Sequence, residues 1–284
     1  MKGGNRMILP KEIIERNIAA AEKKTKMPIW KLTMLGVLAG MFIASGAQAS
    51  NVAMHTIPNV GIARFVGGCV FPIGLMMIIF FAGELFTGNC LMIMSVIHKK
   101  VKVLQMIKVL CIVYLSNFAG AIIVTGFTYL SGQFNYSDGF LGAYTINVAM
   151  TKANLPFISA FFSGILCNFF VCVAVLMGAA AKDVIGKVFA VFFPIMAFVV
   201  SGFEHCIANM YYIPAGLYAK SNPEYLDKAI STYGYSKEQI ESLNWGSFFT
   251  NNIIPVTLGN VIGGMVFVGL IIYFIDKKEL DGTI

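Results

Sequence analysis

Gly83-Glu84-Leu85-Phe86-Thr87-Gly88-Asn89 and Gly202-Phe203-Glu204-His205-Cys206-Ile207-Ala208-Asn209 lie far apart in the chain, yet both set an Asn five residues after a Glu inside apolar sequence. Phe71-Pro72-Ile73 precedes the first stretch much as Phe193-Pro194-Ile195 precedes the second. Further on, Asn117-Phe118-Ala119-Gly120 answers to Asn260-Val261-Ile262-Gly263, and Gly36-Val37-Leu38-Ala39-Gly40 resembles Gly164-Ile165-Leu166-Cys167-Asn168. Correspondences in the same order mark two related halves.

The surroundings of these stretches set the solvent. Of 284 residues, 57% are hydrophobic and only 12% charged, with a mean hydropathy of +0.76. Soluble domains carry about 25% charged residues, so this chain folds in a bilayer. Six apolar runs reach the roughly 20 residues a span requires: about 32–57, 65–97, 109–130, 155–181, 188–219 and 253–275. The second and fifth are too long for one simple helix, and each holds a glutamate, Glu84 or Glu204. Such runs predict helices broken within the membrane, where irregular backbone survives only if protein buries it or it lines a cavity. Three spans per half is an odd number, so the second half is inverted, and interrupted spans at matching places point to a transport site.

Placing the N-terminus in the cytoplasm puts sixteen Lys and Arg inside, Lys2 and Arg6 among them, and five outside: Arg64, Lys152, Lys220, Lys228 and Lys237. That bias predicts a multi-pass plasma (inner) membrane protein with both termini cytoplasmic. It also accounts for the net charge of +7 without a nucleic-acid partner. The expected organisation is a cytoplasmic amphipathic helix within 1–31, one transmembrane domain over 32–275 (repeats 32–131 and 155–275) and a tail at 276–284. In the helix, Ile13, Ile14, Ile18 and Ala21 share a face. Residues 221–243 read as an external helix-and-loop cap. No cleavable signal peptide is expected, and Met7 is a candidate start. The six cysteines form no CxxC pair and read as buried, reduced thiols.

The chemistry follows from what lies at the breaks. Glu84 and Glu204, helped by Asn89 and Asn209, are expected to hold the broken loops by accepting hydrogen bonds from freed backbone N–H groups. His205 sits at the second break as a proton or hydrogen-bond donor, with Thr87 at the related place in the first. Lys152 is expected to draw anions to the outer mouth. Phe71, Leu75, Leu85, Phe86 and Phe198 would form narrow apolar constrictions, where a bare anion pays a large desolvation cost and a protonated weak acid does not. No metal-ligand cluster, cofactor motif or nucleophile–base–orienter set is visible. The expected partners are a small anion, protons and the lipid bilayer. The alternatives are a neutral-solute channel, or a membrane-embedded enzyme or structural subunit.

These motifs, together with Asn252-Ile253-Ile254-Pro255-Val256-Thr257-Leu258-Gly259-Asn260, closely resemble the formate/nitrite transporter family over nearly the whole chain. The resemblance implies an aquaporin-like all-α fold, a homopentamer with one pore per protomer, and passage of formate, nitrite, hydrosulfide or lactate. It implies that the loop near Thr87 is mobile and gates the pore. The family's central histidine falls on His205, its outer lysine on Lys152, its loop threonine on Thr87 and its pore asparagine on Asn168. Its constrictions fall on Phe71, Leu75, Leu85, Phe86 and Phe198. The Asn-Pro-Ala signature of aquaporins is absent, which argues against a water or glycerol channel.

Overall fold

The structure, a computed structural model, describes residues 8–280; Lys2, Arg6 and the candidate start at Met7 lie outside them. The described residues contain six helices long and apolar enough to span a membrane. The first half begins with α1 (Pro10–Thr25) and the first span α2 (Ile29–Met54). The second span is assembled from α3 (Val60–Val70), α4 (Ile73–Phe81), α5 (Phe86–Asn89) and α6 (Ile93–Ile97), and the third is α7 (Val103–Leu130). A helix too short to span, α8 (Phe140–Ala153), leads to the fourth span, α9 (Phe157–Ala180). The fifth span is α10 (Val184–Ser201) plus α11 (Cys206–Lys220). A cap of α12 (Pro223–Tyr233) and α13 (Lys237–Glu241) precedes the sixth span, Trp245–Ile275. This is the aquaporin-like arrangement of two inverted three-span repeats with interrupted second and fifth spans.

The two breaks are made alike. Helix α4 stops at Ala82 and α10 at Gly202, both left-handed, with φ of 53° and 71°. The backbone is extended again at Leu85 (φ −108°, ψ 127°) and His205 (φ −108°, ψ 116°), and a new helix starts from each. The left-handed conformation is ordinary for Gly but costs a non-Gly residue about 1 kcal/mol, so Ala82 stands there only because its surroundings hold it. The Phe-Pro-Ile triplets differ in effect. Pro72 separates α3 from α4, whereas Pro194 lies within a continuous α10.

Apolar side chains gain little by leaving lipid for one another, so membrane helices associate through close approach of small residues. A Cβ on Gly40 or on Gly120 would lie 2.1 Å from the carbonyl oxygen of Asn117 or Val37, so α2 and α7 meet backbone to backbone. The second half repeats the device. Cβ atoms on Gly259 and Gly263 would stand 2.1 and 2.2 Å from the carbonyl oxygens of Phe161 and Ile165. These two crossings clamp the broken spans. Helix α1 buries Ile14, Ile18 and Ala21. The cap is tied down by Tyr235 Oη donating to Asn147 Oδ1 at 2.6 Å.

Candidate functional site

Breaking a helix in lipid frees backbone groups that find no water, each costing several kcal/mol if left alone. One asparagine closes each break. Asn117 Nδ2 donates to Gly36 O (2.8 Å) and Glu84 O (2.9 Å), while its Oδ1 accepts from Phe86 N (3.0 Å). Asn260 repeats this with Gly164 O (2.7 Å), Glu204 O (3.0 Å) and Cys206 N (2.9 Å). The glutamates therefore do not take the freed N–H groups, as their position in the sequence suggests. A carboxylate is acceptor-only and would leave the loop carbonyl orphaned, whereas a carboxamide serves both.

The glutamates instead bind cations. Glu204 Oε1 lies 2.8 Å from Lys152 Nζ, and its Oε2 accepts from Asn209 Nδ2 (2.6 Å) and Asn252 Nδ2 (3.3 Å). Glu84 Oε2 lies 2.9 Å from Lys24 Nζ and accepts from Asn89 Nδ2 at 2.9 Å. Lys24 also donates to Asn89 Oδ1 at 2.6 Å. Both carboxylates are buried, and a buried charge persists only when paired and hydrogen-bonded. Lys152 sits in the last turn of α8, its ammonium 5.1 Å from the Tyr212 ring centroid. Lys24, its counterpart from α1, escapes a reading of the spans alone. The signal for it is helical spacing, since Asn17, Ala21 and Lys24 line one cavity together.

His205 and Thr87 meet between the halves, with Nε2 and Oγ1 2.9 Å apart. His205 Nδ1 accepts from the Ala208 N–H at 3.1 Å, so Nδ1 carries no proton and the neutral ring is the Nε2–H tautomer. Nε2–H then donates to Thr87 Oγ1, which leaves the threonine hydroxyl proton free for another acceptor. Asn168 Nδ2 donates to Thr87 O (3.2 Å) and to Asn260 O (2.6 Å). His205, Thr87 and Asn168 are all buried.

One cavity reaches His205, and a second reaches Leu85 and Gly88 beside Thr87. The one on the α8 side, outer in the topology expected from the sequence, is about 430 Å³ and lined by Lys152, Glu204, His205, Phe71 and Phe198 among others; the one on the α1 side, inner in that topology, is about 350 Å³ and lined by Lys24, Glu84, Leu75 and Leu85 among others. Phe71 and Phe198 touch edge to face with ring centroids 5.5 Å apart, and Phe198 lies 6.1 Å from the His205 ring. Phe86 packs against Tyr114 at 4.7 Å, away from both cavity walls. The structure thus brings Phe71, Phe198, His205 and Lys152 to one cavity and Leu75 and Leu85 to the other. Among the described residues no group of three or more His, Cys, Asp or Glu is arranged to hold a metal ion.

Comparison with known proteins places the whole assembly in context. A family profile described as "Formate/nitrite transporter" matches residues 11–274. The "Formate channel FocA" of Haemophilus influenzae is 36% identical, over 92% of this chain and 91% of its own length. The "Probable formate transporter" of Methanothermobacter thermautotrophicus is 34% identical, over 92% and 94% respectively. A solved "Pentameric formate channel with formate bound" superposes with a TM-score of 0.78 at 33% identity, covering 88% of this chain and 98% of that one.

Proposed function

The chain belongs to the formate/nitrite transporter family, and from that premise we propose that it is a pentameric plasma-membrane channel, both termini cytoplasmic, passing a small weak-acid anion: formate, hydrosulfide or nitrite. The observation that carries this reading is the buried His205–Thr87 contact, with one cavity reaching His205, a second reaching Leu85 and Gly88 beside Thr87, and apolar side chains around it. Such a site offers hydrogen bonds at a waist that is otherwise too apolar for a bare ion.

Magnitudes decide in which form the anion crosses. Moving a small ion from water into a medium of low dielectric costs on the order of 20 kcal/mol in the idealised limit, and several after relaxation. Protonating a carboxylate of pKa near 4 at about pH 7 costs only about 4 kcal/mol, at about 1.36 kcal/mol per unit. The anion therefore crosses the Phe71–Phe198 constriction as its neutral acid.

The proton comes from the water of the outer cavity. His205 is not its reservoir, because a proton on Nδ1 would face the Ala208 N–H. The imidazole polarises Thr87 through Nε2–H, and the freed threonine hydroxyl donates to the passing acid. Lys152, its charge balanced by Glu204, receives the anion as a hydrogen-bond donor on the outer wall. Lys24 does the same on the inner wall.

Reconstitution tests this. Purified protein in liposomes should pass formate, nitrite or hydrosulfide faster at lower external pH and above the rate of empty liposomes. A membrane enzyme or scaffold would match the empty vesicles, and that result would end the proposal.

A further inference from the structure

Within each cavity one cation is left over. The charged side chains lining the outer cavity are Arg64, Lys152 and Glu204; those lining the inner one are Lys24, Glu84 and Lys187. Lys152 cancels Glu204 and Lys24 cancels Glu84, at 2.8 and 2.9 Å. Arg64 and Lys187 make no ion pair among the described residues. The net attraction of each mouth for an anion therefore resides in them rather than in the buried lysines.

Their positions correspond. Arg64 stands eight residues before Pro72 and Lys187 seven before Pro194, each on the first helix of a broken span. Each is also associated with the other half's break, Arg64 by contact and Lys187 by a shared cavity. The Arg64 guanidinium lies on the backbone of Gly202, where a Cβ would stand 1.7 Å from Nη1. Lys187 shares the inner cavity with Ala82 and Gly83.

The two cations differ in chemistry. A guanidinium is a planar fork that pairs two oxygens at once; an ammonium is a point charge. The outer wall also holds buried amide atoms without partners, Asn51 Nδ2 and Oδ1 and Asn209 Oδ1. A buried unpaired polar group costs about 1–3 kcal/mol, and of these atoms Asn51 Nδ2 is a donor that an acceptor-only anion can satisfy.

We infer that Arg64 and Lys187 are the anion-landing sites of the two mouths, the outer one selecting planar two-oxygen anions by shape and the inner one reading charge alone. This rests on the anion-channel reading above.

The test is initial flux of formate and of hydrosulfide, measured from each face in right-side-out and inverted membrane vesicles. Arg64→Lys should raise the half-saturating external formate concentration about fivefold and leave that of hydrosulfide within about twofold, because only the fork is lost. Arg64→Gln should raise both from the outside, and Lys187→Gln both from the inside. An equal shift for the two anions in Arg64→Lys overturns shape selection. An unchanged Arg64→Gln overturns the site. A parallel fall of all fluxes with the thermal midpoint reduces Arg64 to a cap on the α10 carbonyls, which also overturns it. Wild-type vesicles passing neither anion would instead sink the channel reading itself, a result distinct from these.

Discussion

Replacing Asn260 tests whether one carboxamide holds the second break. In Asn260→Ala the Cys206 N–H and the Glu204 carbonyl each lose their side-chain partner in a buried setting. At about 1–3 kcal/mol per orphaned group, those two losses reach roughly 4 kcal/mol. The Gly164 carbonyl loses a second bond, worth about 1 kcal/mol. The sum, about 5 kcal/mol, should lower the thermal midpoint in detergent by roughly ten degrees or more. Asn260→Asp is the sharper variant, since its volume is unchanged. It keeps an acceptor for Cys206 N but turns an oxygen towards two carbonyl oxygens 2.7 and 3.0 Å away. Stability should fall in the order Asn, Ala, Asp, and Asn117 should show the same order at the first break. Melting curves followed by oligomer dissociation on size exclusion, with formate flux alongside, give the readout. An Asp variant at the wild-type midpoint would refute the reasoning, because no packing change could mask the loss of the donor.

Three further outcomes are expected. His205→Phe should assemble normally and slow uptake at every pH while keeping its rise at low external pH, because the ring only orients Thr87; an unaltered rate in liposomes would remove the imidazole from the mechanism. Lys24→Gln strands the buried Glu84 carboxylate, a loss of about 3 kcal/mol for a partly exposed pair, seen as faster tryptic cutting after Lys23 or Lys26 and reversed by adding Glu84→Gln. Phe198→Ala opens the collar by one ring, so flux should rise and its dependence on external protons weaken; slower flux with unchanged pH dependence would argue that the ring does not set the barrier.

Much of the architecture is legible in the sequence because lipid makes apolar length and charge placement decisive. The breaks are visible as Glu, Gly and Asn set in runs too long for one helix. What escapes is pairing across sequence distance. Lys24 looks like any cytoplasmic lysine until α1 folds under the broken span and carries it to Glu84. Helix α8 gives no span signal in the sequence, since Phe140–Ala153 is too short to cross and its buried face meets α11 and α12 rather than lipid. The role of Asn117 and Asn260 is hidden for a different reason. Their place in the repeat is visible, but only the folded crossing of α7 over α2, and of the sixth span over α9, shows that they reach the freed backbone.

The two halves are not equal in one respect. At the place where the second half carries Asn168, the first carries Gly40, pressed against the backbone of Asn117 with no side chain to reach across. The Asn168 amide grips the Thr87 carbonyl with one hand and the Asn260 carbonyl with the other. It is a crossbar with no twin. One side chain thereby links the carbonyl of one broken loop to that of the residue closing the other, a route by which a shift at Thr87 can reach the second break.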